Sequence, residues 1–378
     1  MRDSRVRMLA RKLVSFSCNV QSGENVLIEN YDENADELVL ALIEEIYAVG
    51  AKPYVWRRNN RVQRALMMGV TEEQLDLMAA MDAELMRNMQ AYILIRCTNN
   101  AAEGADIPQE RSKLYGKHYG VPVHNDVRIR QTKWCYLEYP TPAQAQLAGM
   151  STEAFENYYF RVCTMDYARL AKASEALKAL IERTDKVHIL GKGTDLAFSI
   201  KGIGGIISAG EKNIPDGEVM TAPVRESVNG VITYNVPSNY GGEVHTGVAL
   251  TFENGRIVKA EGSNPGKINE ILDRDAGARY IGEFAFGTNP YCTRPIGKTL
   301  YDEKIAGSFH FTPGDCYDEA DNGNHSSVHW DLIVIQTPEY GGGEIWFDDV
   351  LIRKDGRFVL PELEPLNPEN LMDAEKEA

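Results

Sequence analysis

The chain has 378 residues, a formal net charge of −15, and 43% hydrophobic against 25% charged residues. That length exceeds a typical domain of roughly 100–200 residues and predicts two domains, each able to build a core. The acidic balance repels phosphate backbones and anionic membranes, so nucleic acid and lipid are excluded as expected partners.

Six cysteines are scattered without a CxxC pair, several beside apolar residues as in Trp134-Cys135-Tyr136, which predicts free thiols in a reducing compartment. Arg11 and Lys12 interrupt the first apolar residues before a signal-peptide core forms, and no apolar run approaches the ~20 residues that span a bilayer. The expectation is a cytoplasmic protein.

Val26-Leu27-Ile28 reads as a strand introduced by Gly23. Asp36–Val49 has apolar residues at helical spacing (Leu38, Leu42, Ile43, Ile46, Val49), and Gly50 stands at the C-cap. Pro53–Arg57 reads as the next strand. Thr71-Glu72-Glu73-Gln74 has the form of a capping box before a helix at Leu75–Ala83, and Ala91–Ile95 is a further strand. Alternating strands and helices predict an α/β N-terminal domain with a parallel sheet. The segment after the first strand, Glu29-Asn30-Tyr31-Asp32-Glu33, lacks the glycines that a pyrophosphate requires, so dinucleotide binding is rejected.

Pro140 and Pro142 mark a break, followed by one long predicted helix from Thr152 to about Arg183 and a strand at Val187–Leu190. Beyond it the chain turns to short, glycine-rich segments. These predict an α+β C-terminal domain with a largely antiparallel sheet that carries the metal site. The boundary is placed near Thr184–Lys186, giving domains 1–185 and 186–378. Asn367–Ala378 is polar and acidic and is the one candidate for disorder.

The chemistry-bearing residues concentrate in the second half. In Val328-His329-Trp330-Asp331, an extended chain points His329 and Asp331 to the same side, a nitrogen and a carboxylate for one ion. Glu283 in IGEFAFGTN and Glu218 in NIPDGEVMTAP lie among apolar and glycine residues, where an unpaired carboxylate is costly. With Glu303 and His310 in YDEKIAGSFH, three glutamates, two histidines and one aspartate suit two divalent ions with shared ligands. HExxH and GxSxG are both absent. Arg225 and Lys304 are expected to meet the substrate carbonyl or carboxylate. His325 is a candidate donor to His329, and His245 a strand histidine.

NIPDGEVMTAPVRESVNG, GEFAFGTN, YDEKIAGSFH and NHSSVHWDL, in that order, resemble the successive motifs of the aminopeptidase T-like metallo-exopeptidases, and weaker similarity covers nearly the whole chain. The resemblance implies that Glu218, Glu283, Glu303, His310, His329 and Asp331 are metal ligands. Tyr317 matches an active-site tyrosine, and Glu283 is the candidate bridging ligand or proton acceptor. It further implies a homodimer that hydrolyses the N-terminal residue from short peptides with two divalent ions (Zn, Co, Mn or Mg), the N-terminal domain walling the cleft.

Thr312-Pro313-Gly314 departs from the family's frequent Ala-Leu-Gly. Two alternatives are a mononuclear Fe(II) dioxygenase that opens hydroxylated pyridines on the same scaffold, and a catalytically silent metal-bearing binding protein. The dioxygenase branch lacks the Glu283 and His310 types of ligand, and this chain keeps both.

Overall fold

The computed structural model describes residues 3–373. The chain divides into two compact units, residues 1–164 with 210–214, and residues 165–209 with 215–378.

In the first unit, strands β1 (Asn25–Tyr31), β2 (Lys52–Arg58), β3 (Ala91–Cys97) and β4 (Lys133–Tyr139) pair in parallel in the order β2-β1-β3-β4. Asn213–Ile214 adds a short parallel strand beside β4. The helix Asp36–Ala48 buries Leu38, Leu42 and Ile46. It stops where Gly50 takes φ +80°, letting Gly50 N donate to Tyr47 O and Ala51 N to Ile46 O. Thr71 caps the helix Glu72–Arg87 by accepting from Gln74 N at 3.2 Å. The strand Lys133–Tyr139 was not anticipated, although its residues alternate between more and less buried positions.

The long helix expected over Thr152–Arg183 is two helices, Thr152–Cys163 and Tyr167–Arg183. Asp166 causes the break, because its carboxylate accepts from Arg169 N at 3.0 Å and starts a new helix rather than continuing the old one. The expected disorder from Asn367 is also corrected. Asn367 donates to Phe358 O and accepts from Phe358 N, and Leu371 is buried. The remainder of that expectation, residues 374–378, lies outside the described residues.

The second unit holds an eight-stranded antiparallel sheet in which Lys186–Gly191 pairs with Thr194–Ser199 on one side and Gly343–Phe347 on the other. A separate five-stranded antiparallel sheet carries Glu218, Glu283 and His310. Its order is Ile333–Ile335, Ser308–Pro313, Ile281–Gly287, Glu218–Thr221, Ile206–Ser208. Among the described residues, no helix is long and apolar enough to cross a membrane.

Candidate metal centre

Strand alternation explains why this sheet can be both core and active surface. In the paired strands GEFAFG and SFHFTP, Glu283 lies opposite Thr312, Ala285 opposite His310, and Gly287 opposite Glu218. Glu283, His310, Thr312 and Glu218 therefore share one face. The intervening Phe284, Phe286, Phe309 and Phe311 occupy the other, where they are fully buried and Phe284 packs against the other three.

Two glycines permit the approach of the remaining groups. A Cβ on Gly287 would meet Ile305 O and lie 2.8 Å from Glu303 O, so only glycine admits the turn that bears Glu303 and Lys304. Gly314, at φ +109°, would drive a Cβ into Val328 O; as glycine it bridges to His329 and brings the histidine onto the sheet.

The side chains converge as two triads that share Glu283: Glu218, Glu283 and His310, and Glu283, His329 and Asp331. Glu283 presents Oε1 to His310 Nε2 at 3.1 Å and Oε2 to His329 Nε2 at 3.1 Å. His310 Nε2 is also 3.5 Å from Glu218 Oε2, and His329 Nε2 is 3.2 Å from Asp331 Oδ1. His329 Nδ1–H donates to the Asp315 carbonyl at 3.0 Å, which fixes the ring with Nε2 facing the carboxylates. Asp331 accepts from the Thr312 hydroxyl at 2.9 Å. Thus the threonine that departs from the family pattern orients a carboxylate of the centre.

Glu303 stands outside both triads among the described residues. Its Oε1 is 2.8 Å from Lys304 Nζ, which also contacts Glu218 Oε1 and lies 3.6 Å from Asp216 Oδ1. The expectation that Lys304 meets substrate is therefore corrected. Its ammonium is fully buried and serves carboxylates of the centre. Arg225 is likewise engaged, donating to Asn324 Oδ1 at 3.0 Å and lying 4.0 Å over the Tyr280 ring. His245 is buried in a strand against Trp330. His325 faces Asp315 Oδ1 at 3.8 Å rather than His329.

The electrostatics follow from this crowding. Burial raises the Glu283 carboxyl, but His310 and His329 outweigh it and hold it at about 2. Burial, opposed by Lys304 and reinforced by Asp331 and Glu218, pushes Glu303 up to about 8. Burial lowers His310, yet Glu283 and Glu218 bring it up to about 9. Tyr317 is 41% exposed, its ring 5.5 Å from that of His329. The negative charge of Glu283, followed by burial, raises its phenol well above the ordinary value, so it is a donor at neutral pH.

These residues fit divalent metal ions. Glu218 Oε2, which lies on the centre beside His310 Nε2, is buried without a hydrogen-bond partner, an arrangement that is costly unless something completes it. Asp216, Glu218 and Glu303 surround the Lys304 ammonium, while Glu283 and Asp331 face the imidazoles, a crowding of acidic groups that bound divalent cations would offset. The mixture of carboxylate and imidazole donors suits zinc, cobalt or manganese.

Asp216, Thr312 and the Asp315 carbonyl were not anticipated as members of the site. Asp216 had a visible signal, lying two residues before Glu218 in the same motif; a backbone carbonyl leaves none. Lys304 also makes a stability prediction. Lys304→Met should lower unfolding stability by about 3–5 kcal/mol, because it strands buried carboxylates. An unchanged melting temperature in a thermal scan would show the ammonium to be dispensable.

The family profile described as Thermophilic metalloprotease (M29) matches residues 2–358. Aminopeptidase T of Thermus thermophilus is 27% identical over 382 residues, 86% of this chain and 91% of that protein. Aminopeptidase AmpS of Bacillus subtilis is 25% identical over 361 residues, 83% of this chain and 85% of that protein. The solved structure of wild-type AmpT from Thermus thermophilus matches with a TM-score of 0.79 at 24% identity, covering 94% of this chain and 99% of that one. A 2,5-dihydroxypyridine dioxygenase from Pseudomonas putida matches with a TM-score of 0.62 at 14% identity, covering 96% and 99%. Both structural likenesses are of fold alone.

Proposed function

Since this chain belongs to the thermophilic metalloprotease family M29, we propose that it is an aminopeptidase that removes the N-terminal residue of short peptides at a two-metal centre. The observation that carries this reading is the pair of ligand triads joined at Glu283. Each Glu283 oxygen faces a different imidazole, the geometry of a carboxylate that bridges two ions. Glu218 and His310 would hold one ion with it, and His329 and Asp331 the other. Glu303 enters as the carboxylate that shares Lys304 with Glu218 through Oε1, and its second oxygen would be the one to meet an ion.

Divalent ions held there would supply Lewis acidity toward the scissile carbonyl, an anchor for the free α-amino group, and a water of lowered pKa. The protein's own contribution is orientation and donation. Asp315 and Thr312 hold His329 and Asp331 in place. The Tyr317 phenol donates to the oxyanion that develops as water adds to the carbonyl. The names of the aminopeptidase relatives support this reading, as does the retention of both Glu283 and His310.

A homodimer in a reducing cytoplasm completes the proposal. The six cysteines are buried, and the family resemblance implies the dimer. Light scattering at twice the 42.2 kDa chain mass is the expected result, and a monomer mass would contradict it.

Removal of metal by EDTA or phenanthroline should abolish peptide hydrolysis, and zinc, cobalt or manganese should restore it. Full activity in a preparation verified as metal-free would refute the mechanism.

A further inference from the structure

We propose a third metal site, formed by Cys316, Asp321 and His325, that takes a zinc-like ion and clamps the loop bearing Tyr317. One ligand atom from each of these residues lies within 4.8 Å of the others. The Cys316 Sγ–Asp321 Oδ1 separation is 3.3 Å. Two ligands at the usual zinc–sulfur and zinc–oxygen bond lengths, set at a tetrahedral angle, lie about 3.5 Å apart. The pair therefore already spans one edge of a zinc tetrahedron. Thiolate, imidazole and carboxylate together form a donor set that favours zinc over magnesium or calcium.

The loop holds this arrangement by its own bonds. Cys316 N donates to Asn324 O at 3.1 Å, which draws the two ends together and places His325 beside the thiol. Asp321 Oδ1 accepts from Gly323 N at 2.7 Å. Asn324 Nδ2 donates to the Gly277 and Gly314 carbonyls, and Asn322 Nδ2 to those of Pro223 and Ile281, tying the turn to the sheet. Cys316 also differs from the other cysteines. It is 9% exposed and faces an aspartate and a histidine, whereas the other five are at most 1% exposed.

The site lies next to groups of the main centre. Asp315, the preceding residue, offers the carbonyl that orients His329, and Tyr317, the following one, packs its ring against that histidine. An ion gripping Cys316, Asp321 and His325 would hold the segment that sets both. Binding expels the thiol proton, now donated to Asp321, to solvent as the thiolate forms the metal bond.

The main centre contains no sulfur ligand, so cobalt separates the two sites. Titration of metal-free protein with Co(II) should develop a near-ultraviolet thiolate-to-cobalt charge-transfer band. Cys316→Ser should remove that band while leaving the visible cobalt bands of the oxygen and nitrogen centre. His325→Ala, at an exposed position that leaves the fold intact, should weaken the cobalt affinity read from the band at least about tenfold. Absence of the band from the wild type, its survival in Cys316→Ser, or unchanged affinity in His325→Ala would each overturn the site. None of these outcomes bears on the two-metal reading, which rests on the visible bands and on hydrolysis.

Discussion

Glu283→Gln is expected to lower kcat/KM by about 10²–10⁴-fold, the rate equivalent of losing several kcal/mol of the transition-state stabilisation that a bound metal supplies. The substitution keeps shape and volume but removes the charge that both imidazoles face, Oε1 toward His310 and Oε2 toward His329. Because the residue belongs to both triads, its loss should reduce metal content at both positions together. Glu218→Gln or Asp331→Asn should empty one position preferentially. Metal analysis beside steady-state kinetics on the same preparation tests this. Near-normal turnover with full metal content would show that Glu283 is only a structural partner of the histidines.

Tyr317→Phe carries the second large effect, and it separates peptidase chemistry from metal binding. Tyr317 is partly exposed with its ring against His329, and the nearby Glu283 charge keeps the phenol protonated. A donor aimed at a developing oxyanion strengthens as charge builds, so it acts on kcat more than on KM. Loss of one such donor typically costs about 10²–10³ in kcat. The variant should keep its metal content and a near-normal KM. An unchanged kcat would show that Tyr317 only packs, and a lost ion would show that it is a ligand.

Much of the fold was legible because local pattern and tertiary structure agree. The strands at Val26-Leu27-Ile28 and Ala91–Ile95, the amphipathic helix from Asp36 and its glycine stop are all present, as is the change to an antiparallel sheet. The family resemblance rested on four ordered motifs, and the profile match over residues 2–358 agrees with it. The helix break at Asp166 was missed because helical periodicity on both sides masked a single capping residue. At the centre, residue types were readable but directions were not. Lys304 looked like a substrate contact until its burial between Asp216, Glu218 and Glu303 was visible. Thr312 read as a departure from pattern, and its bond to Asp331 depends on a long-range contact that no local rule encodes. The alternation of phenylalanine with Glu283 and His310 was the strongest unused signal, since it already separates a core face from a chemical face.

The most direct test of the central claim is to titrate zinc into metal-free protein and follow p-nitroaniline release from an aminoacyl p-nitroanilide against bound metal. A Cys316→Ser background, which removes the thiolate ligand, keeps the loop cluster from adding to the count. The two-metal account predicts no release without metal and a rate that reaches its plateau at two ions per chain. Full release from metal-free protein would contradict it, as would a single bound iron accompanied by oxygen uptake on a hydroxypyridine.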